Sequence, residues 1–192
     1  LCRTLDGLPL AIELAAARVR TMSVEDIGAR LHDRFTLLRS TDRTSPHRHR
    51  TLHAVIDWSW NLLDPDQRAA LRRLCRFPGG FTLDAAVAVA QWGEVADVAD
   101  AIDGLVAQSM LTVAEDRTGL RYLMLETVRE FGDEQLAATG ADEQLQLTER
   151  TAVWAEQYCR TAIRCFLDGA QARVARAADA DYDNLLAVLR HG

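Results

Sequence analysis

The fold is decided by residues 64–90, "DPDQRAALRRLCRFPGGFTLDAAVAVA". Asp64 has the side chain of an N-cap, Pro65 suits the first helical position, and Gln67 stands three residues after the cap, the spacing of a capping box. The helix that follows is predicted to bury Leu71, Leu74 and Cys75. It stops before "FPGGF", residues 77–81, where Pro-Gly-Gly makes a turn. Thr82 then caps another helix, with Leu83, Ala86, Val87 and Ala90 expected on its buried face.

Working outward, Val95, Val98, Ala99, Ile102, Leu105 and Val106 recur at helical spacing, the cleanest amphipathic pattern in the chain. Ser109–Val113 and Leu120–Met124 are strand candidates around a Gly-containing turn, and Leu120, Tyr122 and Met124 alternate along one face. Glu126–Ala138 is helical again, with Gly140 as its stop. Upstream, Thr51–Leu63 carries Leu52, Val55, Ile56, Ser59 and Leu63 on one helical face. Helices followed by a hairpin, joined by short connections, spell a winged helix over residues 46–140. The fold class is mainly α with a small β-hairpin.

The flanks read differently. "LDGLPLAIELAAARVR", residues 5–20, is a turn followed by a helix that Pro9 begins, with Ile12, Ala15, Ala16 and Val19 at helical spacing. Ser23 is placed to cap a second helix, in which Ile27, Leu31 and Phe35 continue an apolar stripe. Residues 1–45 form the first expected domain. Residues 39–50 are a polar break, and from Arg34 to Arg50 five arginines face one acid, Asp42. This segment reads as a solvated linker. Residues 141–192 are expected to be helical, with Trp154, Tyr158, Cys165 and Phe166 marking one helix and Leu185, Leu186 and Leu189 another.

Composition removes several chemistries. The 192 residues contain arginine but no lysine, so a P-loop, whose lysine reaches the terminal phosphates, cannot lie within them. Lysine nucleophiles and Schiff bases go with it. Cys2, Cys75, Cys159 and Cys165 are scattered and read as reduced, mostly buried thiols. His47, His49 and His53 lack the supporting ligands of a zinc site. No hydrolase or metalloprotease motif is present, so the segment is not expected to be an enzyme. No run approaches the ~20 apolar residues of a membrane span, and the expected location is the cytoplasm. The formal net charge of −6 disfavours nonspecific nucleic-acid binding. The chain starts at Leu1 inside a structured pattern and reads as a piece of a longer protein.

Four stretches carry a resemblance. "CRTLDGLPLAIELAAARVR" (residues 2–20) resembles the helical lid of the STAND class of signalling ATPases, which includes NB-ARC proteins and many bacterial transcriptional regulators. "TLHAVIDWSWNLLDPDQRAALRRLCRFPGGFTLDAAVAVA" (51–90) is similar to the winged helix of the bacterial regulators. "RYLMLETVREFGDEQL" (121–136) resembles the end of that domain, and "ADYDNLLAVLRHG" (180–192) the beginning of a tetratricopeptide-like repeat region.

The resemblance implies an upstream P-loop domain that holds ATP or ADP with Mg, a downstream repeat sensor, and DNA contact through another domain of the parent. This segment itself is expected to hold no cofactor. It also implies that Gly7, Leu8 and Pro9 close over the adenine side of the nucleotide. Pro9 offers a rigid apolar ring, and Gly7 a tight turn. In NB-ARC relatives a Met-His-Asp histidine meets the ADP phosphates. The matching residues here are Met124, Leu125 and Glu126, and Leu125 has no donor to offer.

Two other roles fit a winged helix: direct DNA binding, or a purely protein-protein scaffold. The candidate recognition segment, Glu94–Gln108, holds Glu94, Asp97, Asp100 and Asp103 and no arginine. Four carboxylates facing a phosphate groove would be repelled. The sequence therefore favours an intramolecular docking module.

Overall fold

The computed structural model describes residues 51–116 and 119–191, together with Ser23. Two compact units divide the chain, residues 1–62 and 63–192. In the first, helix α1 (Thr51–Leu62) buries Ile56 and leaves Trp58 and Leu62 exposed. Asn61 Nδ2 donates to Asp57 Oδ2 one turn back.

The second unit begins with α2 (Pro65–Leu74). Gln67 Oε1 accepts the Asp64 N–H at 3.1 Å, the arm of the capping box that the side-chain spacing predicts. α3 (Leu83–Ala90) starts where Thr82 Oγ1 accepts the Ala85 N–H. Its buried face is Ala85, Ala86, Val89 and Ala90, and Leu83 and Val87 are exposed, contrary to expectation. The segment "LDAAVAVA" is apolar on nearly every side, so its periodicity does not select a face. Packing does, and α3 turns its small residues toward α2 and α6.

α4 (Val98–Ala107) starts later than the apolar pattern suggests. Asp97 Oδ1 accepts the Ala99 N–H at 2.8 Å and fixes the start, while Val95 is buried ahead of the helix. α4 buries Val98, Ala101, Ile102 and Leu105. It ends with Ser109 in the left-handed region (φ 57°) and the Met110 N–H returning to Leu105 O. That turn buries Met110 and Leu111, which is why β1 (Thr112–Asp116) begins three residues after the expected strand.

β1 pairs antiparallel with β2 (Gly119–Leu123) in a register from Thr112 opposite Leu123 to Asp116 opposite Gly119. Phe81 adds a single antiparallel bridge to Tyr122, with N···O distances of 2.9 and 2.8 Å. The order helix, bridge, two helices, hairpin is that of a winged helix. The buried side chain of β2 is Arg121; on the opposite face Tyr122 stacks on buried Phe81 at 5.8 Å, while Leu120 is half exposed.

α5 (Glu126–Ala137) buries Val128, Phe131 and Leu136. Gly140 does not end this helix. It stands as the N-cap of α6 (Ala141–Leu167), a 27-residue helix. α7 (Gln171–Ala180) and α8 (Tyr182–His191) follow. α2 packs on α3, α4 and α5, and α6 packs on α3, α7 and α8. Phe77 joins the two layers, edge-on to Trp154 at 4.9 Å and tilted against Phe81 at 5.6 Å. Phe166 and Leu189 lie in the helices they mark, α6 and α8, with their side chains exposed.

Candidate functional site at the Pro-Gly-Gly turn

The turn that punctuates the sequence at residues 78–80 is where the wing and the last helices meet. Gly80 has φ +73°, a conformation glycine adopts without Cβ strain. A Cβ there would lie 2.7 Å from Tyr122 O and closer still to Leu123. Gly79 is pressed from the other side, and a Cβ would meet Ala180 O and Asn184 Oδ1 at 3.3 Å. Gly80→Ala is expected to cost about 2–3 kcal/mol, from left-handed strain and overpacking together. A urea midpoint measurement checks it; an unchanged midpoint would show that the turn has room.

Into this turn reaches Arg121 of β2. Its Nη2 donates to Gly79 O (3.2 Å), Gly80 O (2.9 Å), Ala180 O (3.2 Å) and Asp181 Oδ1 (2.8 Å). Nη1 reaches Asp181 Oδ2 at 3.5 Å. Asn184, fully buried on α8, completes the arrangement. Its Oδ1 accepts the Gly79 N–H at 2.8 Å, and its Nδ2 donates to Gly80 O and Asp181 Oδ1, both at 2.8 Å. The guanidinium and the Asp181 carboxylate are both desolvated, so their charges are held by each other and by the carbonyls.

A second arginine ties the helix-turn-helix to α6. Arg73, with no exposed surface, donates from Nη1 to Ala90 O and Trp92 O, from Nη2 to Glu94 Oε2 and from Nε to Glu143 Oε1. Its guanidinium lies 3.5 Å from the Trp92 ring centroid. Arg72 takes Glu143 with two bonds, Nε to Oε1 at 2.9 Å and Nη2 to Oε2 at 3.2 Å. Glu143 stands in the first turn of α6, where the helix dipole favours a carboxylate.

The Glu94 carboxyl is held below its ordinary value of 4.5, first by its own backbone N–H and then by Arg73. A depressed carboxylate stabilises the fold above its unfolded pKa, and the benefit is lost as pH falls through the folded value. Glu94→Gln is expected to lower the urea midpoint at pH 7. Its gap from the unsubstituted protein should close as the pH drops below about 4.5. A gap that persists at pH 3 would mean that charge is not what Glu94 contributes.

These contacts change the reading of the acidic helix. Of its four carboxylates, Glu94 pairs with Arg73 and Asp97 caps α4. Asp100 and Asp103 remain on the exposed face, with Ala107 and the C-cap Gln108. No basic side chain accompanies them on α4. The apolar outer face of the wing, Val113 and Leu120, is half exposed.

The other sequence-predicted positions are distributed as follows. Gly7, Leu8 and Pro9 lie outside the described residues, as do Cys2, the arginine-rich linker, His47, His49 and the side chain of His53. Leu125 precedes α5 and is partly exposed, while Glu126 is engaged by Arg129. Cys75 is buried, its thiol pushed well up by burial and next by the Asp133 charge. Cys165 is half-buried, and Cys159 is exposed, contrary to the expectation of mostly buried thiols. Among the described residues no group of three His, Cys, Asp or Glu is placed to hold a metal, and no helix is long and apolar enough to cross a membrane. Arg73, Arg121, Asp181 and Asn184 escaped the sequence reading. The one signal for them is Gly79-Gly80, two glycines where a turn needs one, which marks close approach by something from outside the turn.

Residues 63–137 match the winged helix-turn-helix domain family. Over 143 residues, 73% of this chain, the sequence is 47% identical to a protein of Mycobacterium tuberculosis (strain H37Rv) named "Putative HTH-type transcriptional regulator", and equally to its namesake in Mycobacterium bovis. It is 40% identical over the same length to an uncharacterized protein of M. tuberculosis. The chain spans 16% of the length of the first two and 36% of the third. No solved structure matches it. The wing, the bridge at Phe81 and the family match together identify residues 63–137 as a winged helix-turn-helix domain, in a chain homologous to these mycobacterial proteins.

Proposed function

We propose that this chain is the regulatory middle portion of a bacterial transcriptional regulator of the cytoplasm, and that its winged helix holds and reports the position of the helices that follow it. The observation that carries the proposal is Arg121, buried and bonded to the Pro-Gly-Gly turn and the α7–α8 corner. A β2 that read DNA would present Arg121 outward; the wing's other arginine, Arg117, lies outside the described residues. In the fuller form of the proposal, the parent is a nucleotide-switched STAND ATPase. An upstream P-loop domain holds ATP or ADP with Mg, Gly7, Leu8 and Pro9 cover the base, and a downstream repeat sensor shifts α7 and α8. This segment then relays and does not catalyse.

A second reading is direct DNA binding, favoured by the helix-turn-helix match and by the names of the relatives. Against it stands the exposed face of α4, which offers Asp100 and Asp103 to a polyanion. Fluorescence anisotropy with a mixed-sequence duplex at low salt separates the two. The relay reading expects no saturable binding at micromolar protein. Saturable, salt-dependent binding that is lost on replacing Ala107 and Gln108 by glutamate would establish the DNA reading instead. In the full-length parent, Pro9→Ala is expected to weaken ADP binding; unchanged affinity would remove the nucleotide part of the proposal.

A further inference from the structure

Between α6 and α7 lies a groove of about 310 Å³, at the small end of the range of ligand sites. Ala162, Val174 and Ala177 line its apolar wall, and Arg173 and Arg176, one helical turn apart and both exposed, stand at its rim. No carboxylate lines it among the described residues. Tyr158 also lines it, and the buried Tyr158 hydroxyl stands beside the Asp181 carboxylate.

From this geometry we infer that the α6–α7 groove binds a small amphipathic carboxylate, its apolar body against Ala162, Val174 and Ala177 and its acid group at Arg173 and Arg176. The two guanidinium groups supply charge and a planar fork for a carboxylate. Tyr158 closes the groove with its ring, its hydroxyl facing Asp181; burial and then the Asp181 charge push its pKa up to about 12. A bare inorganic anion would leave the apolar wall unused, and a cation would be repelled by Arg173 and Arg176 at the rim. Tyr158 and Ala177 also border the neighbouring cavity of about 400 Å³ that contains Arg121 and Asp181. Occupancy would therefore be felt at the α7–α8 corner. The binding claim does not depend on the proposed function.

The test uses 2-naphthoate as the probe on the whole chain, with 2-naphthamide and inorganic phosphate as controls, followed by amide and methyl NMR shifts. Saturable binding below about 1 mM, with shifts centred on Ala162, Val174 and Ala177, is expected. The amide and phosphate should each bind at least about tenfold more weakly. The surface double variant Arg173→Ala/Arg176→Ala, its Tm unchanged, should lose about tenfold or more. Ala162→Trp, which fills the groove, should abolish binding. The inference is overturned by the absence of saturation, by equal binding of the amide or of phosphate, by an unaffected double variant, or by shifts centred on exposed Ile163 and Leu189.

Discussion

Arg121→Ala is expected to destabilise the 63–192 unit by about 3–5 kcal/mol, the cost of leaving a buried charge without its partner. Asp181 is buried and would lose its guanidinium, while Gly79 O, Gly80 O and Ala180 O would lose a shared donor. Lysine is no remedy, because a point charge cannot serve carbonyls and a carboxylate arranged around a planar group. Two further variants separate the pair from the fold. Asp181→Asn should also destabilise, and the double variant Arg121→Met/Asp181→Asn should be clearly better than the sum of the singles. Additive losses in urea titrations would show that the two residues act independently.

Arg73→Met is expected to cost about 3 kcal/mol. The loss is somewhat smaller because Glu143 keeps Arg72. Ala90 O and Trp92 O keep their backbone donors, Trp92 N–H and Val95 N–H, but lose the guanidinium, as do Glu94 and the face of the Trp92 ring. Methionine keeps most of the apolar stem, so the effect reports on the lost bonds more than on a cavity. Hydrogen exchange should quicken first at Gln91, Trp92 and Val95, between α3 and α4. If protection fell uniformly across α2 to α5, Arg73 would be a general core residue and not a tie to that connection.

The winged helix was legible because its punctuation is local. Asp64, Pro65, Gln67 and Thr82 act within one turn of themselves, and the side-chain type alone names the task. The apolar period then placed α2, α4 and α5. One face was misread and another missed. On α3 nearly every residue is apolar, so the buried side is chosen by neighbours. On β2 the alternation of Leu120, Tyr122 and Met124 gave no sign that Arg121, on the other face, is the buried residue. A buried arginine looks like a surface one until its carboxylate is known. Asp181 is 60 residues away in the chain, and no local rule joins them. The same distance hid Arg73 from Glu143, 70 residues on. The nucleotide contact assigned to Gly7, Leu8 and Pro9 rests on resemblance, since it concerns groups that this segment does not contain.

α6 has a mechanical consequence. At about 1.5 Å per residue it is a rod roughly 40 Å long, pinned near its first turn by Arg72 and Arg73 through Glu143. From its far end the chain doubles back through α7 to a second pin at Asp181 and Asn184. Along its middle the rod is held by Trp154 against Phe77 and to α3 by Arg150 at Ala88 O. The far corner hangs on less: one desolvated ion pair and the amide beside it tie it to the turn, so loosening them would free α7 and α8 while the rod stays seated.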